Sequence, residues 1–506
     1  MQQPAIASRE SEDVWRLLDD VLQGERLILA SNRGPMEHHV QPNGDLQARR
    51  GSGGVVTALS GLTGQAEFTW IASAMGEGDR RVAAANQGRA VRSPLPGQRV
   101  SVRYVTTARR TYHKYYNIIC NPLLWFLQHY MWSSPYTPRV DGVIYDAWEN
   151  GYAQVNREFA DAIIEEAGGG ARPLVMLHDY HLYLAPGMVR EALPQARVQL
   201  FLHIPWPSSS YWELLPGVMR NAICASLCHA DIVGFQSERD ARAFLDSCDT
   251  FLDGAEVDYN ARTVRFGGRE TLARAYPISI NVDEVRRIAA SPRAAEYEQR
   301  LRERLGEQTI IRVDRAEPSK NIIRGFSAYE ALLERHPEFI GRVKFLAFLV
   351  PSRTHIRQYQ RYLDEVDQAV QRINRRFERQ GWEPITVFYE NNYIQAIAAM
   401  RLYDVLMVNS VIDGMNLVSK EGPVVNERDG VLVLSESAGA HQQLKVGSLP
   451  VAPADVEGTA RALHQALTMP AEERAARNRA MVEVISEQDI THWLRRQLED
   501  VAALRP

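Results

Sequence analysis

The chain has 506 residues with 58 Lys plus Arg against 62 Asp plus Glu, a net charge of -4 at pH 7 that lacks the basic excess of a general nucleic-acid binder. Hydrophobic residues make up 45% and charged residues 24%, an ordinary globular balance with material for more than one domain of about 100–200 residues. Its four cysteines are too few for a disulfide framework and fit a reducing cytoplasm, the start of the chain lacks the basic and apolar regions of a signal peptide, and no run approaches the ~20 apolar residues of a membrane helix.

In chain order, apolar runs at 26–31, 68–73, 173–178, 197–203 and 230–235 are predicted as strands, with amphipathic helices at 142–167 and 236–253. Cys224 and Cys228, four apart, share one helix face, and without a second ligand pair nearby they read as core thiols. Residues 255–280 interrupt the alternation. They read as an antiparallel excursion that turns at Gly267-Gly268, then a linker, with a domain boundary between Pro277 and Val282. Beyond it, strands are predicted at 309–314, 342–350, 385–389, 404–410 and 430–435. Helices are predicted at 284–305, 319–335, 355–380 and 453–468, and a polar amphipathic helix at 486–504.

Continuous apolar strands separated by helices mean parallel sheets covered on both faces. The expected fold class is therefore α/β, with two Rossmann-like doubly wound domains facing a central cleft. Residues 1–280 form the first, residues 281–485 the second, and the helix within 486–506 packs back on the first. Such sheets bind ligands beyond the carboxyl ends of their strands.

Five constellations fall at predicted strand ends. SNR at 31–33 is followed by RRGSGGVV at 49–56, whose glycines, Gly54 among them, let backbone approach a phosphate; alone, the stretch reads equally as a flexible surface loop. HDYH at 178–181 offers Asp179 either as an acceptor of sugar hydroxyls or as a helix N-cap. FLHIPWP at 201–207 holds His203 at a strand tip between a strand and a proline-stiffened loop, where a structural role is the competing reading. VDRAEPSKN at 313–321 places Arg315 and Lys320 around a turn, suited to a diphosphate or to a solvated basic loop. DGMNLVSKE at 413–421 supplies Asp413 and a sharp turn at Gly414. Met415, Asn416 and Leu417 then open a helix with its N–H groups toward the ligand, and Glu421 lies two turns in as a carboxylate for ribose hydroxyls. Taken in order, they assign a nucleotide diphosphate mainly to the C-terminal domain, with sugar and acceptor facing the N-terminal one.

With these motifs, and with YYN and LW at 115–125, GFQ at 234–236 and VLVLSESAGA at 431–440, the chain resembles the trehalose-6-phosphate synthase family of retaining glycosyltransferases from about residue 26 to 500. The resemblance implies the GT-B architecture and transfer of glucose from a nucleoside-diphosphate glucose to glucose 6-phosphate. It assigns the acceptor phosphate to Arg33, Tyr116, Trp125 and Arg353. The diphosphate goes to Arg315 and Lys320, the donor sugar to Asp179, His203 and the loop Asp413–Leu417, the ribose to Glu421, and the diphosphate-side loop to Gly54. Asp179, His203, Arg315 and Lys320 are the expected catalytic set. No metal and no cofactor are implied, the nucleotide sugar being a substrate. The uridine, guanosine and adenosine donors stay open, with guanosine slightly favoured, and a cytoplasmic homo-oligomer without nucleic-acid or membrane partners is expected.

The sequence departs from the family where Ala316-Glu317-Pro318 replaces Leu-Asp-Tyr, where Asn321 replaces Gly, and where Ile412 replaces an Arg. The stretches PSKN at 318–321, HIPWPS at 203–208, NS-x-x-DG at 409–414 and VNERD at 425–429 are similar to those of the validoxylamine phosphate synthases, which couple cyclitols. A sibling transferase with another phosphorylated acceptor, such as glycerol phosphate or a cyclitol phosphate, or with a cyclitol donor, is the alternative.

Overall fold

A computed structural model describes residues 9–51, 56, 59, 66–132, 138–168, 172–354 and 356–504. The chain divides into two compact units, Met1–Pro277 with Thr491–Pro506, and Ile278–Ile490.

The first unit is built on a ten-stranded sheet. Its parallel part runs Arg269–Ala275, Ile232–Phe235, Arg197–Phe201, Leu174–His178, Leu27–Ser31, Thr69–Ser73, Ser101–Val105. Leu27–Ser31 and Leu174–His178 are buried at every position, as strands covered on both faces must be. One edge is finished by the antiparallel strands Glu256–Asp258 and Thr263–Phe266. The turn into Arg269–Ala275 uses Gly267 at φ 58° and Gly268 at φ 77°, the paired positive angles of a tight hairpin. The terminal helix Ile490–Ala502 belongs largely to this unit: Trp493 meets the Phe201 ring edge-on at 5.1 Å, and Tyr276 donates to Asp500 at 2.6 Å.

The second unit carries six strands, all parallel, in the order Ile385–Tyr389, Val343–Val350, Gln308–Arg315, Val405–Val408, Val431–Ser435, Leu449–Val451. Ile310, Phe345, Val405 and Val433 from its strands pack with Phe326 and Leu332 of helix Ile322–Arg335 and Leu463 of helix Val456–Thr468.

Each sheet has a point where strand order reverses. In the first, the chain works outward from Leu27–Ser31 on one side and from Leu174–His178 on the other. In the second, the reversal lies between Gln308–Arg315 and Val405–Val408. Connections leave in opposite directions there and open a crevice at the strand ends. Arg33 and Asp179 follow the two central strands of the first unit; Arg315 and Asp413 sit at or just beyond those of the second.

Several predicted elements are subdivided. The helix expected over 142–167 is Gly142–Ala147, a wider π-type turn Trp148–Ala153 with Asn150 off helical angles, and Gln154–Ala167. The helix expected over 284–305 breaks at Ser291, which caps Pro292–Arg302 by accepting from Ala294 N, with Pro292 at the first helical position. The expected helix 486–504 begins at Ile490, after a separate helix Ala471–Glu487. A hairpin of Met36–Val40 with Leu46–Arg50 was not expected. All four cysteines are buried and free, Cys228 Sγ lying 3.7 Å from Cys248 Sγ. Among the described residues, no helix is long and apolar enough to cross a membrane.

Candidate active site

In the second unit the cationic loop is templated from beneath. Arg312 points out of the strand Gln308–Arg315 and has no exposed surface. Its guanidinium holds Asp314 Oδ2 through Nε at 3.1 Å and Nη2 at 2.7 Å, then donates to the carbonyls of Lys320 at 2.9 Å and Ile322 at 3.3 Å. One buried ion pair thus fixes both ends of the turn that carries Lys320.

Asn321 completes the turn at φ 57°, ψ 36°, a left-handed conformation that glycine and asparagine tolerate best. The asparagine does more than tolerate it: Nδ2 donates to Asn409 O at 2.9 Å and Pro453 O at 2.7 Å. The family glycine could make neither bond.

Above this floor sit two charge clusters. Glu317, fully buried, accepts from Ser352 Oγ at 2.9 Å and Arg353 Nη1 at 3.1 Å, with Arg315 Nη1 at 3.2 Å. Burial pushes its carboxyl up, but Arg315, Arg353 and Lys320 outweigh that and hold it down at about 2. Arg353 also donates to Tyr359 at 2.6 Å from a backbone at φ 48°. The second cluster is Lys320 in a salt bridge with Asp413, which also accepts from Ser410 Oγ at 3.3 Å and Asn416 Nδ2 at 3.0 Å.

The loop after Val405–Val408 differs from expectation. Asn416 is left-handed at φ 74°, so 415–417 form a turn, and the helix is Val418–Val425 with Leu417 at its cap and Glu421 in its first turn. Met415 is buried, and Gly414 is wedged against Gly439, where a Cβ would stand 1.8 Å from the Gly414 carbonyl oxygen. Glu421 accepts from the Tyr393 hydroxyl at 2.9 Å. Burial raises its carboxyl to about 7, against the lowering effect of that hydrogen bond. Its neighbour Lys420 is brought down to about 7 by burial and donates to Ile278 O at 2.7 Å.

In the first unit Asp179 ends the strand Leu174–His178 at φ 74°, ψ 168°, a region almost reserved for glycine. It stands at the N-cap of Tyr180–Leu182 but its side chain makes no cap hydrogen bond. Oδ1 instead accepts from His203 N at 3.3 Å, and Oδ2 lies 3.7 Å from His181 Nδ1. His203 Nε2 pairs with His178 Nδ1 at 3.1 Å. Burial lowers His178 to about 3, and burial with His178 and His181 alongside pushes His203 well below the histidine range. Both rings are neutral at pH 7, so these two histidines offer hydrogen bonds and no imidazolium.

Arg33 is partly exposed, 3.5 Å from Glu37, and its carbonyl accepts from Ser31 Oγ at 2.6 Å. Asn32 beside it accepts from Ser73 at 3.0 Å and Tyr112 at 3.3 Å. Tyr116 lies in a π-helical segment, His113–Trp125, between Tyr112 at 5.6 Å and His181 at 6.1 Å, nearly parallel to both rings. Trp125 closes that segment, 2% exposed and stacked on His129 at 4.0 Å. Gly54 lies outside the described residues. Gly51 is packed so that a Cβ would stand 2.1 Å from Gly34 O, which fits a close-packed turn.

The second unit therefore brings Arg315, Lys320, Arg353, Asp413 and Asn416 into two linked clusters, with Glu421 on Tyr393. The first unit joins Asp179 to His203 directly, and to Tyr116 through His181. Sequence reasoning missed Arg312 as the loop's template and Glu317 as the carboxylate shared by two arginines. The signal for Arg312 was an arginine inside an apolar strand run; for Glu317 it was a carboxylate between two cations.

The sequence profile of glycosyltransferase family 20 matches residues 25–503. A bifunctional trehalose-6-phosphate synthase/phosphatase of Thermoproteus tenax is 34% identical over 92% of this chain, which spans 62% of that protein. A UDP-forming α,α-trehalose-phosphate synthase of Schizosaccharomyces pombe is 32% identical, covering 95% of this chain and 91% of its own. A validamine 7-phosphate valienyltransferase of Streptomyces hygroscopicus subsp. jinggangensis is 29% identical over 95% of each chain. Among solved structures, a trehalose-6-phosphate protein of E. coli bound with UDP-2-fluoro glucose superposes with TM-score 0.81 at 28% identity, covering 95% of this chain and all of that one. The Burkholderia xenovorans UDP-forming synthase in complex with glucose-6-phosphate gives 0.80 at 29%, covering 94% and 99%. The chain belongs to glycosyltransferase family 20. It is a glycosyltransferase of the trehalose-phosphate synthase type, built on the two doubly wound α/β units of GT-B enzymes.

Replacing Arg312 strands Asp314 and frees two carbonyls. Arg312→Met is expected to destabilise the second unit by about 3–5 kcal/mol, the cost of breaking a buried ion pair from one side, measured by denaturant titration.

Proposed function

We propose that the chain transfers glucose from a nucleoside-diphosphate glucose to the anomeric hydroxyl of glucose 6-phosphate, with retention, to give trehalose 6-phosphate. The observation that carries this reading is the cationic loop at the second unit's switch point: Arg315 and Lys320 on a turn fixed by Arg312, in a chain whose match to family 20 runs from 25 to 503. The relatives' structures bound with UDP-2-fluoro glucose and in complex with glucose-6-phosphate support the two substrates.

In this reading Arg315 and Lys320 stabilise the charge that grows on the leaving diphosphate. The acceptor proton passes to the leaving phosphate oxygen as the glycosidic bond breaks and the new bond forms on the same face. Asp179 and His203 orient the donor sugar, and the turn Asp413–Leu417 supports it. Arg33, Tyr116, Trp125 and Arg353 are assigned to the acceptor phosphoryl group, with arginines supplying paired donors. Gly54 is assigned to the diphosphate-side loop. A metal ion and a cofactor have no role in this scheme. Homo-oligomeric assembly in the cytoplasm belongs to the same proposal and rests on the resemblance alone.

A second reading is transfer to or from a cyclitol. It is favoured by the valienyltransferase relative, aligned over 95% of both chains, and by the departures at Ala316–Pro318 and Asn321.

A donor-by-acceptor matrix separates the two. UDP-, GDP- and ADP-glucose are tested against glucose 6-phosphate, glycerol phosphate and a cyclitol phosphate, with products identified by NMR. Nucleotide release that requires glucose 6-phosphate, with an α,α-linked product, is expected. Release with the cyclitol phosphate and none with glucose 6-phosphate replaces the first reading by the second.

Arg315→Ala and Lys320→Ala are each expected to lower kcat by about 10²–10³-fold, the loss seen on removing one preorganised donor, while circular dichroism spectra stay those of the parent. An unchanged kcat in both would remove the diphosphate role.

Glu421 gives a pH signature. Its carboxyl titrates at about 7, so below that it is neutral and above it is an anion able to accept both ribose hydroxyls. The donor kcat/KM is expected to rise through pH 7 to a plateau, since that profile reports groups of the free enzyme. Lys420 titrates in the same range, so Glu421→Gln is the control: it should flatten the rise and lower the plateau.

A further inference from the structure

Away from the strand ends of the second unit, two helices converge on a group that the transfer chemistry does not use. Helix Ile322–Arg335 ends at His336, the turn Pro337–Phe339 follows with Glu338, and His464 faces them from helix Val456–Thr468. One ligand atom from each of His336, Glu338 and His464 lies within 4.8 Å of the others. The two imidazoles stack at 3.9 Å and 22°, and His336 Nδ1 lies 3.2 Å from Glu338 Oε1.

We propose that His336, Glu338 and His464 form a binding site for a divalent transition-metal ion of the zinc class. Zinc bonds of about 2.0–2.1 Å in a tetrahedron put ligand atoms roughly 3.4 Å apart. The His336–Glu338 pair already has that spacing, and His464 would join by turning its ring out of the stack so that a nitrogen aims at the ion. Two imidazoles and one carboxylate suit zinc, copper or nickel and do not suit magnesium or calcium, which prefer all-oxygen shells. With three protein ligands, a fourth position remains for water.

The ligands come from elements tied to the core of the unit. Phe339 is buried in the core of the unit and packs edge-on against His464 at 5.9 Å. Arg335 and Glu457 form an ion pair between the same two helices. The ion would therefore clasp helix ends that the fold already holds together. Its effect would be on the stability of the unit and on metal content, with the transfer site left alone.

The test uses the full chain, without a histidine tag, stripped with chelator and titrated with Zn²⁺ by calorimetry and with Co²⁺ by visible absorption. One equivalent of Zn²⁺ is expected, competed by Co²⁺ with the intense bands of a four-coordinate site. The unfolding midpoint is expected to rise on addition of Zn²⁺ and to stay unmoved by Mg²⁺. His464→Ala, His336→Ala and Glu338→Gln should each weaken binding by at least ~10–100-fold, the range already lost with mere supporting partners. All three positions are at least partly exposed, so the variants should fold, and basal transfer activity serves as the check. Stoichiometric binding that survives in His464→Ala and His336→Ala alike, or no saturable binding in the parent, overturns the proposal.

Discussion

Arg312 is a full charge without access to water, in the middle of a parallel sheet. Such a group is stable only if its guanidinium is well paired, and here the partners are Asp314 and two carbonyls of the turn above. The same bonds that satisfy the arginine decide where Lys320 stands. From there the constraint spreads sideways. Asn321 ties the turn to Asn409 at the end of the neighbouring strand, and Lys320 reaches Asp413 in the loop that follows it. Both loops of the second unit's switch point are therefore set by one buried pair and its hydrogen bonds.

The cations above that floor are already partnered. Glu317 is shared by Arg315 and Arg353, and Asp413 by Lys320 and Asn416. This arrangement lets three positive side chains sit close together without scattering. It is also a form of preorganisation: the dipoles and charges are oriented before any anion arrives, so little reorganisation is needed at the moment of reaction. The first unit is built on different electrostatics. His178 and His203 at its strand ends are neutral, and Asp179 is a carboxylate held in a backbone conformation that normally demands glycine. Directional hydrogen-bonding groups of this kind suit sugar hydroxyls, while the clustered cations of the second unit suit phosphoryl oxygens.

Much of this was legible in the sequence because parallel strands advertise themselves. LVMLH at 174–178 and VLVLS at 431–435 have no polar interruption, and both are buried at every position. The position of the motifs at strand ends followed from those strands, the place where doubly wound sheets bind ligands. Other features were not legible, for physical reasons. The hairpin Met36–Val40 with Leu46–Arg50 is mostly exposed and carries no apolar run. The π-helical stretch His113–Trp125 contains Pro122, which sequence rules read as a break, whereas wider turns accommodate it. The role of Arg312 was not legible, because a guanidinium's partners include main-chain carbonyls that no residue pattern encodes. Glu421 was assigned from spacing, yet the helix starts later than expected because Asn416 is left-handed.

The departures from the family pattern cluster around one loop. Asn321 in place of glycine keeps the left-handed turn and adds two hydrogen bonds, so it stiffens the loop without moving it. Glu317 in place of aspartate is one methylene longer, and that reach brings a single carboxylate to Ser352, Arg353 and Arg315 at once. Pro318 in place of tyrosine removes a ring and fixes the entry to the short turn Pro318–Lys320. Ile412 is buried, so the arginine it replaces has been exchanged for core packing at the foot of the next loop. All of these changes fall in the second unit and around the same cations, while Arg33 and Tyr116 keep the family identities. Under the proposed assignments these changes reach Arg315 and Lys320 on the donor side and, through Glu317, Arg353 on the acceptor side, so a difference in specificity from the relatives would be carried by the shared carboxylates as much as by the cations themselves.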